Sequence, residues 1–430
     1  MGTTVAPTLS PSRYNFWAST DWGTHLLFNG LTGGLLEFDP EERTVVTAIL
    51  TGTAAFAGSH VVATLTAGGF LVRDGIDEAR LLIERNRHTT EHHGVFELTV
   101  SPTYQCNFRC TYCYVDFENQ RMTAGVADRV ADFVDRELPR YGHANITWFG
   151  GEPLLCLDTV LPLVRRLRDV GQAHDLEVLQ FLTSNGYLLT PTVAAELGGA
   201  GIRYFHITID GGRRHHDERR VLAGHRPSFD RVHGNCLGLL AALREAHLTL
   251  RMNVDTENIA SVDEVLTSIP SVDRHRVQVH ITPILWGASD RPPRPLLAAV
   301  NAAIRRALEL GFGYYDNIIR PARKTFCSAD RRGNFHVGPD GRLHKCSPSG
   351  KPEVCVGSLG PGGLPIFNER FDTWHGAGPA ADACVECPYL CFCAGGCRLT
   401  RVRREPNPGC RDRYANLDQL IINSYLASSR

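Results

Sequence analysis

Three cysteines, Cys106, Cys110 and Cys113, form a C-x3-C-x2-C loop reading Cys-Asn-Phe-Arg-Cys-Thr-Tyr-Cys, directly after a run with strand character. By composition alone such a triple is expected only about 0.015 times in this chain, so chance is a poor account of it. Three thiolates at this spacing can each hold one iron of a cubane cluster, whereas a closed 4Fe–4S site takes four cysteines. The missing fourth ligand leaves one iron open to a small molecule, the iron–sulfur counterpart of the open position on a catalytic zinc. The plainer readings are a zinc site that borrows a distant ligand, or three unrelated buried thiols.

The chain has 14 cysteines; none precedes Cys106 and most lie beyond residue 326. The N-terminus, MGTTVAPTLSPSRYNFW, lacks the charged and then apolar regions of a secretory signal, so a cytoplasmic location is expected. In a reducing compartment a cysteine-rich chain more often binds metal than carries disulfides. The formal net charge of −1 offers no basic field for nucleic acid or anionic lipid, and the Arg401, Arg403, Arg404 cluster reads as a solvated face. The apolar runs fall short of the roughly 20 residues that cross a bilayer. With 43% hydrophobic residues the 430-residue chain can bury a sizeable core.

The elements that must position the cysteines fall into three segments. Residues 1–95 show two short strands, HLLFNG and GLLEFD, then helical patterns at Pro40–Leu50, His60–Ala67 and Asp77–Arg85. Residues 96–300 alternate strands (Phe96–Val100, Ile146–Phe149, Val178–Thr183, Tyr204–Ile209, Leu248–Val254, Val277–Ile284) with amphipathic helices. One helix, Ala124–Leu138, carries Val126, Val130, Phe133 and Leu138 on a stripe; another, Thr159–Val170, is started by Asp158 and stopped by Gly171. Six strands with intervening helices predict an α/β fold with a parallel sheet, either open and doubly wound or a partial barrel. Residues 301–430, after a helix at Leu296–Leu310, read as loop-dominated and in need of an internal staple. Cys156 and Cys236 read as buried small hydrophobes. His206, Asp210 and His280 fall toward the barrel mouth, although a lone strand histidine is more often a satisfied interior residue; no catalytic acid or base is identified.

The loop, with Tyr112 before its last cysteine, resembles the signature of the radical S-adenosylmethionine (SAM) superfamily. Gly150, Gly151, Glu152, Pro153 resemble the family's GGEP motif, whose backbone receives the methionine amino group. Thr183, Ser184, Asn185, Gly186 end the third strand, where the family contacts the cofactor's ribose or carboxylate. Asp210-Gly211, His216-Asp217 and Arg220 have the spacing of its DG…HD…R pattern. All lie at the C-terminal ends of strands, where such folds build active sites. The resemblance implies a partial (β/α)6 TIM-like barrel, with Tyr112, Gly150, Gly151, Glu152, Ser184, Asn185, Asp210 and Arg220 around the cofactor. It also implies reductive cleavage of SAM to a 5′-deoxyadenosyl radical that takes hydrogen from an unactivated carbon, with flavodoxin or ferredoxin as electron donor.

The tail, Cys327, Gly341-x4-Cys346, Cys384-x2-Cys387-x5-Cys393-x3-Cys397 and Cys410, resembles the SPASM extension, which holds auxiliary iron–sulfur clusters. That resemblance implies one cluster on Cys384, Cys387, Cys393 and Cys410 and another on Cys327, Cys346 and Cys397, giving three 4Fe–4S clusters in all. Cys355 could complete the second, and Cys391 blurs the spacing. Taken alone, a C-x2-C tail is equally a zinc signature. The first 95 residues resemble a PqqD-like, winged-helix-like element that reads leader peptides by strand addition; a merely structural or dimerising cap would look the same. These resemblances imply a maturase of a ribosomal precursor peptide, forming a carbon–carbon or thioether cross-link. The alternatives are an anaerobic sulfatase maturase, in which an aspartate commonly follows the GX4C cysteine where Ser347 and Pro348 stand here, a small-molecule radical enzyme of the same superfamily, and a non-catalytic zinc adaptor.

Overall fold

A computed structural model describes residues 8–53, 60–284, 292–315, 327–347, 352–376, 382–403, 414 and 416–428. Cys410, Arg404 and Pro348 lie outside the described residues.

The N-terminal part comprises β1 (Leu9–Pro11), β2 (Asn15–Ser19), β3 (His25–Asn29), β4 (Leu35–Phe38), α1 (Pro40–Leu50), α2 (His60–Ala67), β5 (Leu71–Arg73) and α3 (Glu78–Glu91). Strands β2, β3 and β4 form an antiparallel sheet, and β1 pairs with β5. Helix α1 begins where expected because Asp39 and Glu42 make a reciprocal capping box with Pro40 at its first turn. Strands β1, β2 and β5 were not legible as strands in the sequence.

The central part runs β6 (Phe96–Val100), α4 (Ala124–Tyr141), β7 (His143–Trp148), α5 (Leu157–His174), β8 (Glu177–Ser184), α6 (Pro191–Ala200), β9 (Tyr204–Thr208), α7 (Arg213–Arg219), α8 (Phe229–Ala242), β10 (His247–Val254), α9 (Val262–Ser268), β11 (Val277–Pro283) and α10 (Arg294–Glu309). Strands β6 to β11 are parallel and adjacent in chain order, as right-handed βαβ units demand. Phe96, Leu98, Val100, Ala144, Ile146 and Trp148 are buried beneath the helices, with Val126, Val130, Phe133 and Leu138 of α4 against them. The alternate positions, among them Glu97, Thr147, His206, Arg251 and His280, line the opposite, polar face.

Two local expectations are corrected. Helix α5 does not stop at Gly171 but runs to His174 and ends at left-handed Asp175. Gly171 serves close packing instead: a Cβ there would stand 2.9 Å from the Leu176 carbonyl oxygen and from Val178. A short 3-10 turn, Pro153–Cys156, precedes α5, so Asp158 falls inside the helix and accepts from Arg121 at 3.1 Å.

The third segment is more regular than its composition suggested. Strands β12 (Gly313–Tyr314) and β13 (Asn334–Val337) extend the parallel sheet at either end, β13 pairing with β6. An antiparallel meander follows: β14 (Arg342–His344), β15 (Cys355–Leu359) and β16 (Pro365–Phe367). The arginine cluster is not simply a solvated face, because Arg401 pairs with buried Asp330 at 2.8 Å and Arg403 pairs with Glu353. Arg398 also lies 3.6 Å from Asp330. The C-terminal helix Leu417–Ser428 and Leu390–Cys393 share a core with Tyr14, Phe28, Ala79 and Leu82, joining the first and last parts of the chain. Among the described residues no helix is long and apolar enough to cross a membrane.

Candidate active site

The cysteine loop leaves the C-terminal end of β6 and is held by its backbone. Arg109 N–H donates to Val221 O (2.6 Å), Thr111 N–H to Arg219 O (3.0 Å) and Ala223 N–H to Asn107 O (2.9 Å). Cys106 and Cys110 are partly buried and Cys113 is exposed. Burial pushes the Cys106 thiol up to about 12 and Cys110 upward as well, while the Arg220 cation pulls both down. Phe108 N–H donates to Cys106 Sγ at 3.3 Å, the kind of bond that supports a thiolate ligand. A pinned loop of three thiols, one bearing a backbone donor, fits a cluster that would displace their protons on binding.

The glycine-glycine turn after β7 lies against the approach to this loop. Gly151 N–H donates to Thr103 O (3.1 Å) and Glu152 N–H to Gln105 O (2.8 Å). Gly150 sits at φ +127°, and a Cβ on Gly151 would stand 2.1 Å from the Gln105 carbonyl oxygen. Only glycine fits between these backbones. Gly151→Ala is therefore expected to displace residues 103–105 and the loop beyond them, lowering SAM cleavage at least tenfold. Gly125→Ala, where a Cβ meets nothing within 4 Å, is the matched control. Equal activity of the two variants would refute the packing argument.

Glu152 is fully buried: its carboxylate accepts from Leu154 N–H (3.0 Å), Ser184 Oγ–H (2.8 Å) and Asn185 N–H (2.8 Å). Burial pushes its pKa up while these donors oppose the rise. Glu152 and Ser184 thus bind each other and lock the end of β8 to that of β7. Asn185 reaches the loop, donating to Asn107 Oδ1 at 2.7 Å and lying 3.8 Å from Cys106 Sγ.

Tyr112, Asp210 and Arg220 come together although up to 108 residues separate them. Tyr112 Oη donates to Asp210 Oδ2 and accepts from Arg220 Nη1 at 2.8 Å. Asp210 Oδ1 accepts from Asn253 N–H at 2.8 Å, and the guanidinium stands 3.8 Å from Oδ2. Asn253, which also donates to Tyr112 Oη at 3.1 Å, was missed in the sequence; its only signal was a polar residue two after Arg251 on an apolar strand. The His216-Asp217 pair is internal: buried His216 contacts Ser228 Oγ at 3.2 Å, and Asp217 accepts from Ser228 and Phe229 N–H at the start of α8.

In the tail, Cys327 and Cys346 are partly buried and Cys397 is exposed. Burial pushes Cys327 to about 11; among the described residues no three Cys, His, Asp or Glu side chains are gathered closely enough to hold a metal ion. Cys387 and Cys393 are buried and Cys384 partly so. Cys355 stands on β15 opposite His344, its thiol donating to Gly357 O at 3.7 Å. Cys391 is buried and its sulfur lies against Gly30 of the N-terminal part, 2.5 Å from where a Cβ on that glycine would stand. Cys156 and Cys236 are buried, as expected.

A cysteine loop and a polar constellation at the C-terminal ends of parallel strands define an enzyme of the barrel-like α/β class. Residues 100–269 match the family model of the Radical SAM superfamily. The chain is 24% identical over 339 residues to PqqA peptide cyclase of Rhodopseudomonas palustris, covering 74% of this chain and 86% of that one. It is 26% identical to GTP 3′,8-cyclase of Helicobacter pylori, over 58% of this chain and 79% of that one. Its fold is similar to that of anSMEcpe with bound AdoMet (TM-score 0.60, 15% identity, 78% and 98% covered). It is likewise similar to Streptococcus suis SuiB bound to precursor peptide SuiA (TM-score 0.54, 11% identity, 93% and 98% covered). Residues 100–269 are thus a Radical SAM domain, which implies SAM and a 4Fe–4S cluster as cofactors and speaks for an enzyme over the zinc adaptor.

Proposed function

We propose that this radical SAM enzyme matures a ribosomally made precursor peptide, installing a carbon–carbon or thioether cross-link. When bound, SAM and a 4Fe–4S cluster supply hydrogen-atom abstraction from an unactivated carbon. Cys106, Cys110 and Cys113 would hold that cluster, and the Gly150-Gly151 turn with Asn185 would border the cofactor. Glu152 and Ser184 act one layer behind, fixing the ends of β7 and β8. Tyr112, Asp210, Arg220 and Asn253 brace the loop against β9 and β10. Two auxiliary clusters are assigned to the tail, on Cys384, Cys387, Cys393 and Cys410 and on Cys327, Cys346 and Cys397. The packing of Cys391 on Gly30 favours a filling role for that residue. An electron donor such as flavodoxin or ferredoxin completes the system.

The observation that carries the peptide reading is strand β4, an edge strand paired only with β3 among the described residues, in a sheet that packs on the cysteine-rich tail. Such an edge offers backbone donors and acceptors to an extended leader. The relatives that act on or bind peptides, PqqA peptide cyclase and SuiB with SuiA, support this reading. The sulfatase-maturase alternative is less well served, since Ser347 follows Cys346 and no carboxylate stands there as a base.

A short peptide encoded beside the gene is expected to change mass on co-expression with the enzyme. On adding that peptide to the purified enzyme, amide hydrogen exchange across residues 35–38 is expected to slow at least tenfold. A mass change without protection of β4 would reassign the N-terminal part to a structural role; no mass change with any neighbouring peptide would refute the maturase reading.

A further inference from the structure

The polar face of the sheet carries a cation, Arg251, that meets the Tyr112–Asp210–Arg220 constellation through Asn253. Arg251 of β10 lies in one row with Thr208 of β9 and His280 of β11, and His206 lies one pair deeper, beside Thr249. The His206 and His280 rings are 5.9 Å apart. Arg251 Nε donates to Asn253 Oδ1 at 2.9 Å. Among the described residues Arg251 has no carboxylate partner, and Asp210 is already engaged by Tyr112, Arg220 and Asn253. The region thus sets two guanidinium groups against one carboxylate. His206 Nε2 is buried without a hydrogen-bond partner, against the expectation of a satisfied interior histidine. Burial and the nearby Arg251 charge pull His206 to about 4 and His280 to about 3, so both are neutral at neutral pH. A neutral ring still supplies a donor without adding charge. A partly desolvated guanidinium with no counter-ion is costly unless an anion completes it, and its planar fork matches a carboxylate.

We infer that Arg251 and His206 form a subsite for a carboxylate of the substrate, an acidic side chain of the peptide being modified. This rests on the peptide reading above. The methionyl carboxylate of SAM is the other source of the same chemistry, and the experiment separates the two. The probes are N-acetyl-L-glutamate amide and N-acetyl-L-glutamine amide, titrated by saturation-transfer NMR into the reconstituted, SAM-loaded full chain. The glutamate probe is expected to bind at least tenfold more tightly than the glutamine probe. Arg251→Gln should abolish that preference, Arg251→Lys should retain part of it, and His206→Asn should reduce it. SAM affinity, measured by equilibrium dialysis, should change less than threefold in Arg251→Gln. Equal binding of the two probes to the unaltered enzyme overturns the subsite. So does an Arg251→Gln variant that loses SAM affinity tenfold while keeping the glutamate preference, which would give the residue to the cofactor. The two readings fail separately: the probe comparison needs no precursor peptide, and the co-expression experiment does not depend on Arg251.

Discussion

Replacing Cys106, Cys110 and Cys113 together by Ala is expected to abolish dithionite-dependent release of 5′-deoxyadenosine and to remove about four irons per chain, with the iron of the proposed auxiliary clusters unaffected. The fold should survive, because the loop is held by main-chain bonds from Arg109, Thr111 and Ala223 that an alanine does not touch. Cys113 is exposed and Cys106 and Cys110 only partly buried, so the packing lost is small beside the chemistry lost. Anaerobic reconstitution, iron analysis and chromatography of the adenosyl product check each part. Cleavage that persists in the triple variant would show that the reactive cluster is held elsewhere.

The second large effect concerns the Asp210–Arg220 pair. Asp210 is 0% exposed and the Arg220 side chain 7% exposed, so removing either leaves its partner desolvated and uncompensated. Asp210→Ala is expected to cost about 3–5 kcal/mol in urea unfolding, the usual range for breaking a buried pair. Arg220 also lies over the Phe108 ring at 5.5 Å, and so supports the cysteine loop directly. SAM affinity should therefore fall at least tenfold in either single variant. The double variant Asp210→Ala/Arg220→Ala should lose less stability than the two singles added together, since neither charge is then stranded. Strict additivity, or an Asp210→Ala variant as stable as the parent, would show that the pair carries no coupling.

The core shared by the N-terminal part and the tail changes how leader recognition can be tested. Deleting the first ninety residues would strip Tyr14, Phe28, Ala79 and Leu82 from Leu390, Phe392 and the C-terminal helix. A loss of peptide binding in such a truncation would report tail damage as much as a missing leader site, which is why exchange at β4 is the cleaner measurement.

The sequence by itself determined what depends on local spacing and periodicity. The C-x3-C-x2-C loop, the glycine-glycine turn, the six strands from Phe96 to Pro283 and the α4 stripe could all be read from neighbours a few residues apart. The tertiary structure alone decided what depends on pairings across the chain: β13 beside β6, Arg401 on Asp330, Cys391 against Gly30, and Arg251 beside two neutral histidines on the open face of the sheet. A partner 71 residues away leaves no periodic trace, so Arg401 looked like surface charge; the backbone packed on Gly171 by Leu176 and Val178 is set by the fold of the chain there, so Gly171 looked like a helix stop. Burial and close backbone approach are properties of the assembled sheet, and they set which of the polar strand residues are satisfied and which still want a ligand.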